Sequence, residues 1–176
     1  MKIIILAAGI GSRLGKLTES KPKCMIEIAN NPLLKYQLEI FKSLNLNDIY
    51  LVNGYKHESF NFKGIKYIHN RNYSVTNMVY TLFCARRVLE KGEDILISYG
   101  DIIYKKEILE KLINNNFEIN IPIDRQWKKY WELRMDNPLN DAETLKLDQN
   151  LNILEIGKKT NNYNDISGQY IGLLKI

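Results

Sequence analysis

The chain has 176 residues, of which 45% are apolar and 26% charged, and carries a net charge of +5. That is one domain's length with enough apolar content for a real core, and no run approaches the ~18–20 apolar residues of a membrane span. The excess positive charge is mild and scattered in pairs (Lys105-Lys106, Lys128-Lys129, Lys158-Lys159) rather than gathered into a patch, which argues against nucleic-acid binding. Cys24 and Cys84 are too few for a disulfide framework, and the short apolar start leads into a glycine loop, unlike a signal peptide. A reducing cytoplasm is the expected compartment. His57 and His69 have no metal-ligand company in sequence.

In chain order, Ile3, Ile4, Ile5 and Leu6 predict a buried strand that stops at Ala7-Ala8-Gly9. Residues 24–29 predict a short extended piece. Asn31 is expected to cap a helix with Pro32 at its first position. Leu33, Leu34, Gln37, Leu38, Phe41 and Leu44 then fall on one helical face, and the helix should end near Asn45. Residues 48–52 predict a second strand, parallel to the first through a right-handed crossover. Residues 65–69 predict a third strand and residues 70–77 a polar loop, with Ser74 or Thr76 capping a helix marked by Val79, Leu82, Phe83, Arg86 and Leu89. Residues 94–98 predict a strand ending at Tyr99-Gly100-Asp101, and residues 105–115 a helix with Ile108, Leu109, Leu112 and Ile113 inward. Beyond it the pattern turns β-rich, with strands expected at 118–123, 130–135, 143–147, 151–156 and 168–176. The expectation is a single α/β domain over residues 1–176, a mostly parallel central sheet flanked by helices with a β-rich C-terminal part.

Open parallel sheets gather ligands beyond the carboxyl ends of their strands. Three such segments carry the informative residues: 7–23, 53–55 and 99–101. In the first, Gly9 and Gly11 let backbone N–H groups approach a ligand because no Cβ intervenes. Arg13, Lys21 and Lys23 add positive charge, so the segment suits a polyphosphate. Two common phosphate loops fail on spacing. The dinucleotide pattern G-x-G-x-x-G meets Leu14 where its third glycine belongs. The P-loop fails because five residues separate Gly9 from Gly15 and Leu17 follows Lys16.

What fits is L-A-A-G-x-G-x-R-L…T…P-K, here Leu6-Ala7-Ala8-Gly9, Gly11, Arg13-Leu14, Thr18 and Pro22-Lys23. This resembles the nucleotidyltransferases that activate sugar phosphates and other phosphomonoesters, joining NTP and R-phosphate to give NDP-R and pyrophosphate. The resemblance implies a Rossmann-like nucleotidyltransferase fold, with nucleotide held by Leu6, Ala7, Ala8, Gly9, Gly11, Ser12, Arg13, Lys23, Asn77, Tyr99 and Gly100. Arg13 and Lys23 are the expected catalytic residues. The planar fork of Arg13 suits the β- and γ-phosphates, and Lys23 would bridge the attacking phosphate and the α-phosphate. Asp101 matches the family's strand-ending Gly-Asp and is the expected ligand of Mg²⁺ as cofactor. The family supplies a second metal-binding aspartate after its final Gly-Leu strand, where this chain stops at Ile176. Truncation is the preferred expectation; Asp124, Asp141 or Asp165 as a substitute, or a single sufficient carboxylate, stays open.

Residues 70–80, NRNYSVTNMVY, and 131–146, WELRMDNPLNDAETLK, resemble the branch that uses CTP to activate phosphocholine, aminoalkylphosphonates and related small phosphates. On that resemblance Asn77 reads a base edge or the ribose, with Thr76 and Tyr73 lining the pocket. Asp136, Asp141 and Glu143 would receive a substrate cation beside an aromatic wall of Trp127, Tyr130 and Trp131, and Lys146 and Lys158 would bind phosphate. Core packing of the aromatics and a solvated surface of charges is the plain alternative. The expected function is Mg²⁺-dependent transfer of CMP from CTP to a small phosphomonoester or phosphonate, of phosphocholine, aminoalkylphosphonate or phospho-amino-acid type. It would release pyrophosphate and serve cell-surface polysaccharide biosynthesis, with no nucleic-acid or membrane partner and a homodimer allowed. Two alternatives remain: a sugar-1-phosphate nucleotidyltransferase using UTP, GTP or dTTP, and a non-catalytic nucleotide-binding domain.

Overall fold

The computed structural model describes every residue, Met1–Ile176. In chain order the elements are β1 (Lys2–Ala7), β2 (Glu27–Ile28), β3 (Asn31–Pro32), α1 (Leu33–Ser43), β4 (Ile49–Asn53), β5 (Ile65–His69), α2 (Met78–Phe83), α3 (Arg86–Leu89), β6 (Ile95–Tyr99) and α4 (Lys106–Ile113). They continue with β7 (Ile123–Asp124), α5 (Trp127–Glu132), β8 (Glu143–Leu147), β9 (Ile153–Lys159), β10 (Gln169–Tyr170) and β11 (Leu173–Lys175). The chain forms two compact units: residues Met1–Ile121 with Gly172–Ile176, and residues Pro122–Ile171.

The first unit is built on a five-stranded sheet in the order β11-β6-β1-β4-β5. β6, β1, β4 and β5 run parallel, and β11 joins the β6 edge antiparallel. Central β1 is covered on both faces, so Ile3, Ile4 and Ile5 are all fully buried. This is why the strand reads as an unbroken apolar run instead of an alternating one. Ile4, Val52, Ile95 and Ile97 pack with Ala85 and Val88 from the segment that follows α2. α1 buries Leu33, Leu34, Gln37 and Phe41, at the period the sequence predicted.

Several boundaries differ from expectation for local reasons. Residues 23–28 are one 3-10 turn (Lys23–Met25) followed by β2. Asn31 does not cap α1, because Asn31 and Pro32 are extended and pair with β2; Pro32 occupies the cap position without a side-chain hydrogen bond. The helix predicted beyond residue 78 divides at Cys84-Ala85 into α2 and α3. Asn77, rather than Ser74 or Thr76, caps α2: its Oδ1 accepts the Tyr80 N–H at 3.1 Å, while the Thr76 hydroxyl donates to the Asn72 carbonyl at 2.8 Å. The strand predicted at 118–123 reduces to an isolated Asn120–Lys175 bridge and β7. Residues 168–176 form two strands, not one, because Gly172 turns the chain at φ 87°.

The second unit pairs β8 with β9 and β7 with β10, each antiparallel. The strand predicted over residues 130–135 does not form: residues 130–132 belong to α5 and residues 133–135 follow it without strand pairing. Trp127 and Trp131, four residues apart, share one helical face and meet edge to face at 5.3 Å. Trp127, Ala142 and Ile166 form the core, with Trp131, Leu139 and Tyr163 packed on it. No helix of the protein is long and apolar enough to cross a membrane.

Candidate active site

β1 ends at Ala7, and the chain enters a loop whose shape depends on Gly11 and Thr18. Gly11 takes φ 73°, and a Cβ there would stand 3.0 Å from Lys23 Cβ. The buried Thr18 hydroxyl lies 3.2 Å from the Gly11 carbonyl and 3.1 Å from that of Gly15, tying the loop's two ends together. Gly9 faces open space, and Ser12 and Arg13 are exposed. The loop therefore presents backbone and one guanidinium outward on a fixed base.

The segment after β4 is stitched to this loop. Tyr55 N–H donates to the Ala8 carbonyl at 3.0 Å, and the Tyr55 hydroxyl donates to the Glu19 carbonyl at 2.8 Å. A Cβ on Gly54 would lie 2.6 Å from Tyr73 Cβ and 2.8 Å from the Ala8 oxygen, so only glycine fits there. Residues 70–77 are held by Asn70, which is fully buried. Its backbone N–H donates to the Asn53 carbonyl, its Nδ2 to Thr81 and Thr76, and its Oδ1 accepts from Asn72 N–H. Thr76 is thus part of an internal network, Tyr73 packs on Gly54 and Tyr55, and the Oδ1 of Asn77 is engaged in capping.

The third segment follows β6. Gly100 N–H donates to the Leu6 carbonyl at 2.9 Å, and a Cβ on Gly100 would meet Ala7 Cβ at 3.1 Å and Cys24 Cβ at 3.4 Å. This close approach puts Asp101 beside the first loop, where its Oδ2 lies 2.6 Å from Lys23 Nζ. The two side chains are 30% and 40% exposed, so both remain open to a ligand. Burial pushes the neighbouring Cys24 thiol up to about 12, with the Asp101 carboxylate adding to the shift. The thiol stays protonated and unreactive.

Gln37 is a residue that sequence reasoning placed only on an apolar helix face. It is fully buried, and its Nε2 donates to the carbonyls of Tyr99 and Ile102, both at 2.9 Å. Its Oε1 accepts from the Ser98 hydroxyl at 2.6 Å. The available signal was a long polar side chain among core positions, which requires buried partners.

Leu6, Ala7, Ala8, Gly9, Gly11, Ser12, Arg13, Lys23, Tyr99, Gly100 and Asp101 therefore gather at the carboxyl ends of β1 and β6 in the first unit. Asn77 follows β5 at the head of α2. Asp136, Glu143, Lys146 and Lys158 belong to the second unit. There Lys146 pairs with Asp165 at 3.0 Å and with Glu155 at 3.6 Å, and Asp165 raises the Lys146 pKa. Lys158 also pairs with Glu155, and Asp136 and Glu143 are exposed. The expected aromatic wall is not formed by Trp127, which is 4% exposed and lies in the core. The chain's own cations stand over two neighbouring rings: Arg134 over Trp131 at 4.9 Å and Lys128 over Tyr163 at 4.1 Å. A surface depression lined by Glu93, Asp94, Phe117 and Lys175 sits at the amino end of β6, away from the loop cluster, and holds none of the motif residues.

The MobA-like NTP transferase domain profile matches residues 3–126. The chain is 45% identical, over 99% of its length and 72% of the relative's, to the CTP:phosphoglutamine cytidylyltransferase of Campylobacter jejuni. It is 31% identical to the choline-phosphate cytidylyltransferase of Streptococcus pneumoniae, over 66% of this chain and 52% of that protein. Among solved structures, the S. pneumoniae CTP:phosphocholine cytidylyltransferase matches with TM-score 0.67 at 21% identity, over 99% of this chain and 69% of that one. The T. maritima inositol-1-phosphate CTP transferase matches with TM-score 0.74 at 22% identity, over 99% and 69%. These two likenesses bear on the fold, a mostly parallel, Rossmann-like sheet with added C-terminal strands. With the profile covering the glycine loop, Lys23 and the Asp101 turn, the chain belongs to the MobA-like NTP transferase family.

Proposed function

We propose that this chain transfers CMP from CTP to a small phosphorylated compound and releases pyrophosphate. The observation that carries the reading is the Lys23–Asp101 pair, 2.6 Å apart, beside a glycine loop with an exposed Arg13. Its 45% identity to a phosphoglutamine enzyme supports CTP as donor and a phosphorylated amino-acid-like acceptor.

The reacting groups are both anions. An acceptor phosphate oxygen attacks the α-phosphorus of CTP, a new P–O bond forms, and the bond to the bridging β-phosphate oxygen breaks. Pyrophosphate leaves with that electron pair. No general base is needed, because the acceptor phosphate is already ionised near neutral pH. The protein must offset repulsion in the approach and the charge that grows on the phosphate oxygens. Lys23 serves the attacking and α-phosphates, and Arg13 serves the β- and γ-phosphates with its planar fork. Backbone N–H groups of the Gly9–Arg13 loop hold the triphosphate.

Asp101 offers a hard carboxylate oxygen, and the protein has no cluster of three or more metal-ligating side chains. That donor set suits Mg²⁺, which is commonly held by one or two carboxylates plus substrate phosphates. Bound there, Mg²⁺ would neutralise charge on the reacting phosphates. Two free cysteines and use of CTP fit a cytoplasmic enzyme.

A pyrophosphate-release screen of CTP, UTP, GTP and dTTP against phosphoglutamine, phosphocholine, aminoalkylphosphonates and sugar 1-phosphates tests the proposal. Release with CTP and a phosphorylated amine or amino-acid-like compound is the expected result. Preference for another nucleotide with a sugar phosphate assigns the chain to sugar activation, and CTP binding without release from any acceptor makes it a binding domain.

A further inference from the structure

We infer that Gln37 is a positioning residue for the Asp101 turn: its buried amide holds residues 99–102 in the conformation that presents the carboxylate to ligand. The inference rests on the reading that Asp101 serves the reaction. Tyr99, Gly100, Asp101 and Ile102 leave β6 as a tight turn, and the carbonyls at its two ends, Tyr99 and Ile102, both accept from Gln37 Nε2 at 2.9 Å. Carbonyls only accept, so the end of the amide facing them must be the NH₂, and both of its protons are used. The remaining oxygen accepts from Ser98, the residue just before the turn, at 2.6 Å. One side chain on α1 therefore fixes the turn at both ends and at its root. Gln37 itself is fully buried and reaches the candidate site only through the backbone carbonyls of Tyr99 and Ile102.

The chemistry of the amide is specific. Glutamate at this position keeps the size but replaces two donors with an oxygen facing two carbonyls. Methionine keeps the length and leaves both carbonyls unpaired. Either change frees the turn and lets Asp101 leave its place beside Lys23, with no group that could contact metal or nucleotide having been altered.

The test compares wild type, Gln37→Met, Gln37→Glu and Asp101→Asn with Phe41→Leu, a substitution at another fully buried position of the same helix. Two readouts are taken well below each melting temperature: Mn²⁺ affinity in the presence of CTP, and hydrogen exchange of the Gly100 amide relative to the amides of β4. The Gln37 variants are expected to lose at least tenfold in Mn²⁺ affinity and to exchange the Gly100 amide selectively faster. Phe41→Leu is expected to melt earlier while keeping wild-type metal affinity. Wild-type affinity and exchange in both Gln37 variants, or an equal loss in Phe41→Leu, overturns the inference. Should neither Gln37 variant fold, Ser98→Ala carries the test, and unchanged Gly100 exchange in it is equally contrary. A wild-type affinity that Asp101→Asn leaves unaltered strikes at the Asp101 reading itself, and selective exchange in the Gln37 variants then still reports whether the turn is held.

Discussion

Lys23 and Asp101 neutralise one another across 2.6 Å; on the proposed reading the nucleotide takes over Lys23 and the metal takes over Asp101. Lys23→Ala should lower turnover on the order of 10²-fold or more, as expected for removal of an electrostatic stabiliser of the transition state. Asp101→Asn should raise the metal concentration needed for half-maximal turnover, and wild-type kinetics in both variants would remove the pair from the mechanism. Gly54→Ala tests the stitching of the loops: the new methyl would collide with Tyr73 and the Ala8 carbonyl, costing about 1–3 kcal/mol as overpacking does, read as a lower melting temperature. An unchanged melting curve would mean that the loops yield freely. His69, its Nδ1 3.0 Å from Asn53 Oδ1, has its pKa lowered from 6.5 by burial first and then by His57 and Arg71. The folded state thus favours the neutral ring; its contribution to stability is complete above 6.5 and fades as pH falls through the lowered value. An NMR titration should place the His69 midpoint below 6.5 and move it upward in Arg71→Ala; a midpoint at or above 6.5 in wild type contradicts this.

At the scale of elements, the strands and helices of the parallel sheet were legible because each carries its own period. β5 and β8 occupy the predicted residues, and β1, β4, β6 and α1 shift by a residue or two. Legibility failed where one local cue competed with another. Trp127, Tyr130 and Trp131 favour a strand as aromatics, yet the i,i+4 contact of the two tryptophans is what their helix buries. At Gln37 a polar side chain among core positions signals buried partners, but which partners stayed hidden, because they lie more than sixty residues away along the chain. α2 offers a way to separate capping from recognition at Asn77. Asn77→Ala should cost about 0.5–2 kcal/mol of stability, whereas Asn77→Ser retains a capping oxygen and the melting temperature. If Asn77 also reads the nucleotide, Asn77→Ser will still raise the KM for CTP. An unchanged KM would assign Asn77 to the cap alone.

For the whole molecule, the glycine loop, Lys23 and Asp101 were legible because they lie in short, ordered motifs at strand ends, and parallel pairing of β1, β4 and β6 brings strand ends together. The second unit, Pro122–Ile171, begins close to where the sequence turns β-rich after residue 115, whereas the return to the first unit at Gly172 has no local cue, because that unit closes through β11, far along the chain. In the second unit Lys146 and Lys158 both pair with Glu155, a contact that depends on the β8–β9 register and has no cue in the local sequence. Cytidylyl transfer at the Lys23–Asp101 site is open to ³¹P NMR of the protein with CTP, Mg²⁺ and phosphoglutamine, run alongside Lys23→Ala. A new pair of pyrophosphate-diester resonances should grow in step with free pyrophosphate, with neither growing appreciably in the variant over the same time. Product formed equally well by Lys23→Ala, or none from any phosphorylated acceptor with wild type, would contradict it.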